Sequence, residues 1–175
     1  MPELYISWIE YHQTIEKLAV KIYQSQWQFN QIICLARGGL RVGDILSRIY
    51  RKPLAILSVS SYGGANGQVR GKIRFSQHLT MIEEKLGERI LLVDDLVDSG
   101  ISLQETLHWL NTRYSQYITE IRTAVLWYKA CSCFAPDYYV YYLPENPWIH
   151  QPFERYEQIT PAELTTIYEK EKEKI

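Results

Sequence analysis

The feature that most constrains this chain is the stretch from Arg89 to Ser102, RILLVDDLVDSGIS. Four consecutive apolar residues, Ile90 to Val93, predict a strand buried on both faces, as in a parallel sheet. The strand runs straight into two carboxylates, Asp94 and Asp95. A short turn carrying Asp98, Ser99, Gly100, Ile101 and Ser102 follows, and then the helical period of LQETLHWL. Strand, small polar turn and helix start is an arrangement that binds phosphate: helix N-terminal amides face the anion, and small side chains let it approach. Carboxylates cannot hold a phosphate themselves. They require a divalent cation, sugar hydroxyls or a proton to be moved, and a sugar phosphate presented with a metal meets all three demands.

The same grammar recurs upstream. Residues 32–36 predict a buried strand that runs into Arg37, Gly38 and Gly39, after which 40–50 has a helical period with Leu40, Ile45, Leu46 and Ile49 turned inward. Paired glycines after a strand leave amides exposed to a ligand, and the arginine adds charge. Before this unit, residues 3–30 open with a helix capped by Ser7 and Glu10, with Ile15, Leu18, Ala19 and Ile22 inward and Trp8, Ile9 and Tyr11 packing its first turn. Strands are expected at 54–59, 118–128 and 138–143, with a one-sided strand over 73–82. Between them, residues 60–72 hold four glycines and almost no apolar side chains, which predicts a flexible polar loop. Residues 144–154 contain three prolines and suit neither a helix nor a central strand. Thr160, Pro161 and Glu163 start a last helix that frays into alternating Lys and Glu. Strands alternating with helices define one doubly wound α/β domain whose ligands sit at the carboxyl ends of the strands.

The motif from Val93 to Ser102 resembles the site that binds PRPP, 5-phosphoribosyl 1-diphosphate, in the type I phosphoribosyltransferases. The resemblance implies that family's fold: a central, mostly parallel sheet flanked by helices, with a small C-terminal hood. It covers residues from the N-terminal helix to about Glu154, giving a core over about 28–143 and a hood mainly from 144–175. On that resemblance Arg37 and Gly38 form the pyrophosphate loop, where a cis peptide is common. Asp94, Asp95, Asp98, Ser99, Gly100, Ile101 and Ser102 bind PRPP, with Asp95 on Mg2+. Ser61 and Tyr62 resemble the start of a flexible catalytic loop, and Arg70 or Lys72 is its basic residue. The WIHQPF segment from Trp148 resembles the hood of bacterial xanthine-guanine phosphoribosyltransferases. It implies a 6-oxopurine acceptor, with Trp148 stacking on the base, Lys129 donating to O6, Ile149 offering backbone at the 2-position and Asp98 acting catalytically at N7. Residues 155–175 extend beyond that hood, and Ser99 and Ile101 stand where the subgroup often has threonine and glycine.

Other readings keep the PRPP site but change the outcome: a non-catalytic PRPP-responsive regulator, or a transferase acting on another base. Lys and Arg total 19 against 20 Asp and Glu, so nothing in the charge asks for nucleic acid. No apolar run approaches the ~20 residues of a membrane span. The odd count of three cysteines fits no disulfide framework and suits a reducing cytoplasm. The family and the 14 tyrosines suggest a homodimer or homotetramer.

Overall fold

A computed structural model describes residues 2–61 and 72–172. In chain order the elements are β1 (Glu3–Tyr5), α1 (Trp8–Gln24), β2 (Gln31–Ala36), α2 (Leu40–Tyr50), β3 (Leu54–Ser61), β4 (Ile73–Phe75), β5 (Arg89–Val93), β6 (Leu96–Val97), α3 (Ile101–Tyr114), β7 (Glu120–Lys129), β8 (Tyr138–Leu143), β9 (Trp148–His150), α4 (Arg155–Gln158) and α5 (Pro161–Lys172). The main sheet runs β4-β3-β2-β5-β7, and every pairing in it is parallel except that of β3 with β4. The result is a central, mostly parallel sheet flanked by helices, as the alternation of strands and helices predicts.

The register explains where the site falls. Val93 pairs with Ala124, and Leu96 pairs with Trp127 at the same offset, while Trp127 also pairs with Tyr141 of β8. Thus β5 and β6 line one edge of β7 and β8 lines the other. The strand does not end at the carboxylates. It breaks for two residues, Asp94 and Asp95, with the amides of Leu126 and Trp127 donating to the Asp95 carbonyl at 3.0 and 3.2 Å, and then resumes. A break of this kind lets adjacent side chains escape strict alternation between faces.

The sheet separates two apolar layers. One packs α1 and α2 against it through Tyr11, Ile15, Leu18, Ile22, Val42 and Leu46. The other packs α3 through Leu103 and Leu110 against Ile33, Leu35, Leu92 and Val125. Gly43 sets the approach of α2, since a methyl there would stand 2.5 Å from Cys34 Cβ on β2. In the first turn of α1 the Ser7–Glu10 capping box forms, with the Ser7 amide donating to Glu10 Oε2 at 2.8 Å.

Several local expectations are corrected. Burial on α2 passes through Val42, Gly43 and Leu46, leaving Ile49 exposed, and Ile9 on α1 is also in solvent. The strand expected over 73–82 stops at Phe75. The Ser76 hydroxyl turns to donate to the His78 carbonyl, and the chain rejoins the sheet only at a single bridge between Thr80 and Ile56. Outside the main sheet, β1 pairs in parallel with β9 to make a separate two-stranded sheet that joins the two ends of the chain, a pairing not expected from the sequence. No helix among the described residues is long and apolar enough to cross a membrane.

Candidate active site

The two strand–turn–helix units meet at a cavity of about 200 Å³ lined by Leu35, Ala36, Arg37, Gly38, Val59, Asp94, Asp95 and Ser102. The peptide between Ala36 and Arg37 is cis. Proximity demands both glycines of this loop. A methyl on Gly38 would fall 2.5 Å from Asp95 Oδ1, and one on Gly39 would fall 2.7 Å from the Val93 carbonyl oxygen. Across the cavity, Gly100 enters α3 at φ +81°, a conformation that disfavours any side chain, and a methyl there would also meet Phe134 Cβ at 2.7 Å. The Ile101 amide donates to the Ser99 hydroxyl at 3.4 Å, and the Ser99 carbonyl accepts from the Cys133 amide at 2.9 Å. With no acidic residue in the first turn of α3, its amide end stays available to an anion.

Asp94 and Asp95 are the two carboxyl groups that open on this cavity. Burial, and then the neighbouring Asp95, push the Asp94 carboxyl well above the ordinary carboxylate range; burial also raises Asp95, against which the Arg41 charge works. The pair therefore gains from any cation or hydroxyl donor that enters. Among the described residues no group of three or more His, Cys, Asp and Glu could cage a metal. Two adjacent carboxylates opening on a phosphate-sized cavity do fit Mg2+, which is commonly held by one or two carboxylates together with substrate phosphates and water.

A second cluster lies beside the first. Lys129 ends β7 and is only 5% exposed, and its Nζ stands 3.3 Å from Asp98 Oδ1. The same ammonium is 6.0 Å from the centroid of the Trp148 ring, which is 53% exposed. The Ile149 side chain is buried in the core. The Trp148 amide bonds the Pro2 carbonyl, and the His150 carbonyl accepts from the Ile6 amide. Strand alternation therefore turns the Ile149 backbone groups away from β1. Asp98, Lys129 and Trp148, up to 50 positions apart, are thus brought together.

The Arg37 side chain is largely in solvent at the cavity rim, and its guanidinium reaches Glu157 on α4 at 3.4 Å. Ser61 ends β3, paired with Ile73, whereas Tyr62 and Arg70 lie outside the described residues. Three neighbours were not singled out from the sequence. Arg41, in the first turn of α2 and four residues after Arg37, lies over Phe153 at 4.6 Å and acts on Asp95. Gln151 donates from Nε2 to Asp95 Oδ2 at 3.4 Å. Cys131 Sγ is 3.6 Å from Asp98 Oδ1. The Arg37–Arg41 spacing was the one available signal for the first; Gln151 and Cys131 carried none.

One loop offers amides and a guanidinium, the other offers carboxylates and a hydroxyl, and a parallel sheet brings both to a single cavity, which is how an enzyme holds a sugar phosphate. The chain belongs to the phosphoribosyltransferases: the family described as phosphoribosyl transferase domain matches residues 7–158. It is similar to a xanthine-guanine phosphoribosyltransferase of Idiomarina loihiensis, 29% identical over 153 residues, 87% of each chain. A second, from Gluconobacter oxydans, is 26% identical over 155 residues, 85% of this chain and 83% of that one. Among solved structures, a purine phosphoribosyltransferase from Pyrococcus horikoshii is 28% identical with a TM-score of 0.71, covering 87% of this chain and 94% of that one. The Helicobacter pylori xanthine-guanine-hypoxanthine phosphoribosyltransferase, 22% identical with a TM-score of 0.68 over 85% of this chain and 91% of that one, shares the fold.

Proposed function

We propose that this enzyme transfers the 5-phosphoribosyl group of PRPP to N9 of a 6-oxopurine (guanine, xanthine or hypoxanthine), with Mg2+, and releases pyrophosphate, a purine-salvage reaction. The observation that carries the reading is the Asp98–Lys129 pair. An oxopurine presents O6 beside N7 on one edge, whereas adenine presents an amine beside N7. A carboxylate and an ammonium 3.3 Å apart offer an acceptor and a donor side by side, matching a protonated N7 and a carbonyl O6. Against adenine, Lys129 would face another donor.

Asp95, with Asp94 alongside, would hold Mg2+. When bound, the ion supplies positive charge for the departing pyrophosphate and a template for the ribose hydroxyls. The α3 amides with Ser99 and Ser102 bind the 5-phosphate, and the Arg37–Gly38 loop faces the pyrophosphate. Trp148 stacks on the base while the Ile149 backbone meets its 2-position. N9 attacks C1 of a ribose that develops oxocarbenium character, as in glycoside chemistry. The N7 proton passes to Asp98 as positive charge builds on the base.

The test is pyrophosphate release from PRPP and Mg2+ with each nucleobase in turn. Release with guanine, xanthine or hypoxanthine and none with adenine or uracil is expected. Release with adenine or uracil alone would defeat the base assignment, and silence with every base would favour the regulatory reading.

A further inference from the structure

Gln151 follows directly on β9, the strand that carries Trp148 and Ile149, yet it reaches into the PRPP side of the site. It is only 7% exposed. Its Nε2 donates to Asp95 Oδ2 at 3.4 Å, while its Oε1 is buried with no hydrogen-bond partner. An amide with half of its polar capacity unmet is a poor choice for packing alone, because a buried unpaired oxygen lowers stability where an apolar side chain of equal length would not. The contact it does make supplies the reason for an amide here. Asp95 is held from several sides: Oδ1 lies against the Gly38 loop, so closely that a methyl on Gly38 would stand 2.5 Å from it, and Oδ2 meets Gln151. The Gln151 backbone is itself fixed, its carbonyl accepting from the Glu154 amide at 3.0 Å in the turn after Pro152. Arg41 provides charge near Asp95 through α2, whereas Gln151 is the contact that arrives from the hood.

We propose that Gln151 is a positioning residue for Asp95: it fixes the carboxylate rotamer that presents Oδ1 to the PRPP cavity and ties that rotamer to the base-binding hood strand. The inference rests on the reaction assigned above. A base seated under Trp148 and against the Ile149 backbone loads the same short segment whose Gln151 side chain holds Asp95. Hood and sugar-phosphate pocket therefore share a mechanical link four residues long, from Trp148 to Gln151.

Calorimetric titration of the full chain with PRPP in the presence of Mg2+ tests this, alongside guanine KM, turnover and Tm. Gln151→Met keeps length and burial but removes the donor. It is expected to weaken PRPP binding about ten-fold, the lower range for loss of a residue that orients a metal-binding carboxylate, with guanine KM moving less than about two-fold. In an Asp95→Asn background the same substitution is expected to change PRPP affinity less than about two-fold, because its effect passes through Asp95. Gln151→Asn, which withdraws the amide by one methylene, is expected to give the same PRPP-selective loss and serves if Gln151→Met folds poorly. An unaltered PRPP Kd in both variants overturns the inference, as does a full loss that persists beside Asp95→Asn or an equal loss of PRPP and guanine affinity with a fallen Tm. Wild-type protein that binds no PRPP with Mg2+ overturns the functional reading itself and this inference with it; normal wild-type binding beside unaltered variants overturns this inference alone.

Discussion

Asp98 stands between two demands, since its carboxylate accompanies the nearly buried Lys129 and faces the position assigned to N7. Asp98→Asn preserves shape but removes the ionised acceptor, so PRPP binding through the neighbouring cavity should persist while turnover with guanine falls about a hundred-fold or more. Steady-state turnover measured beside the PRPP Kd checks both halves; unchanged turnover would remove Asp98 from the chemistry. The substitution also leaves the Lys129 ammonium short of its counter-charge, so a lower Tm should accompany the loss. The carboxylates and Lys129 were legible because the sequence sets them at the ends of apolar runs, where a buried strand must deliver a side chain to a crevice. Arg41 and Gln151 were not. An arginine on an amphipathic helix and a glutamine among prolines both read as solvated surface, and each gains its role only through a tertiary meeting with Asp95.

At the scale of elements, α4 lies beyond β9 and places Glu157 against Arg37 of the loop proposed to face pyrophosphate. Both side chains are largely in solvent, so the pair itself is weak. On the reaction proposed above its consequence is competition, because a guanidinium turned to Glu157 would have to exchange that partner for pyrophosphate oxygens. Glu157→Gln should therefore tighten PRPP binding by about two- to three-fold at low ionic strength, the span of a surface ion pair. The gain should fade as salt screens the charges. Titration of both proteins at two salt concentrations measures this; a weaker or salt-insensitive Glu157→Gln variant would show that α4 supports Arg37 instead. The strand–turn–helix units were legible at this scale because each is specified by a contiguous pattern: an apolar run, small turn residues, then a helical period. The β1–β9 sheet was hidden because its partners are three-residue strands from opposite ends of the chain. Likewise, the early stop of β4 depends on the Ser76 hydroxyl choosing the His78 carbonyl, a local bond that competes with the ladder.

For the whole molecule, the alternation of buried strands with helices was enough to assign the α/β class, and the resulting core has a property that the sequence pattern did not disclose. It encloses acids in neutral form. Cys34 on β2 is fully buried, and burial raises its thiol from 9.0 to about 12. Tyr11 on α1 is equally buried, and burial together with the charge of Asp95 raises its phenol far above the ordinary 10.0. In the unfolded chain these groups lose their protons near their ordinary values, so above pH 9 the folded state binds more protons than the unfolded one. Stability is therefore complete below pH 9 and declines as pH rises, with a slope approaching about 1.4 kcal/mol per pH unit for each group past its unfolded value. Cys34 begins to act near pH 9 and Tyr11 near pH 10, which separates their effects. Cys34→Ala keeps the Cβ that packs against Gly43 and removes the titrating thiol. Urea unfolding between pH 8 and roughly 10.5 should show wild-type stability bending downward near pH 9, whereas the variant should stay flatter until the tyrosine begins to contribute. Equal slopes for the two proteins between pH 9 and 10 would mean that Cys34 reaches solvent in the folded state, and that α2 does not seal β2 as closely as the contact at Gly43 requires.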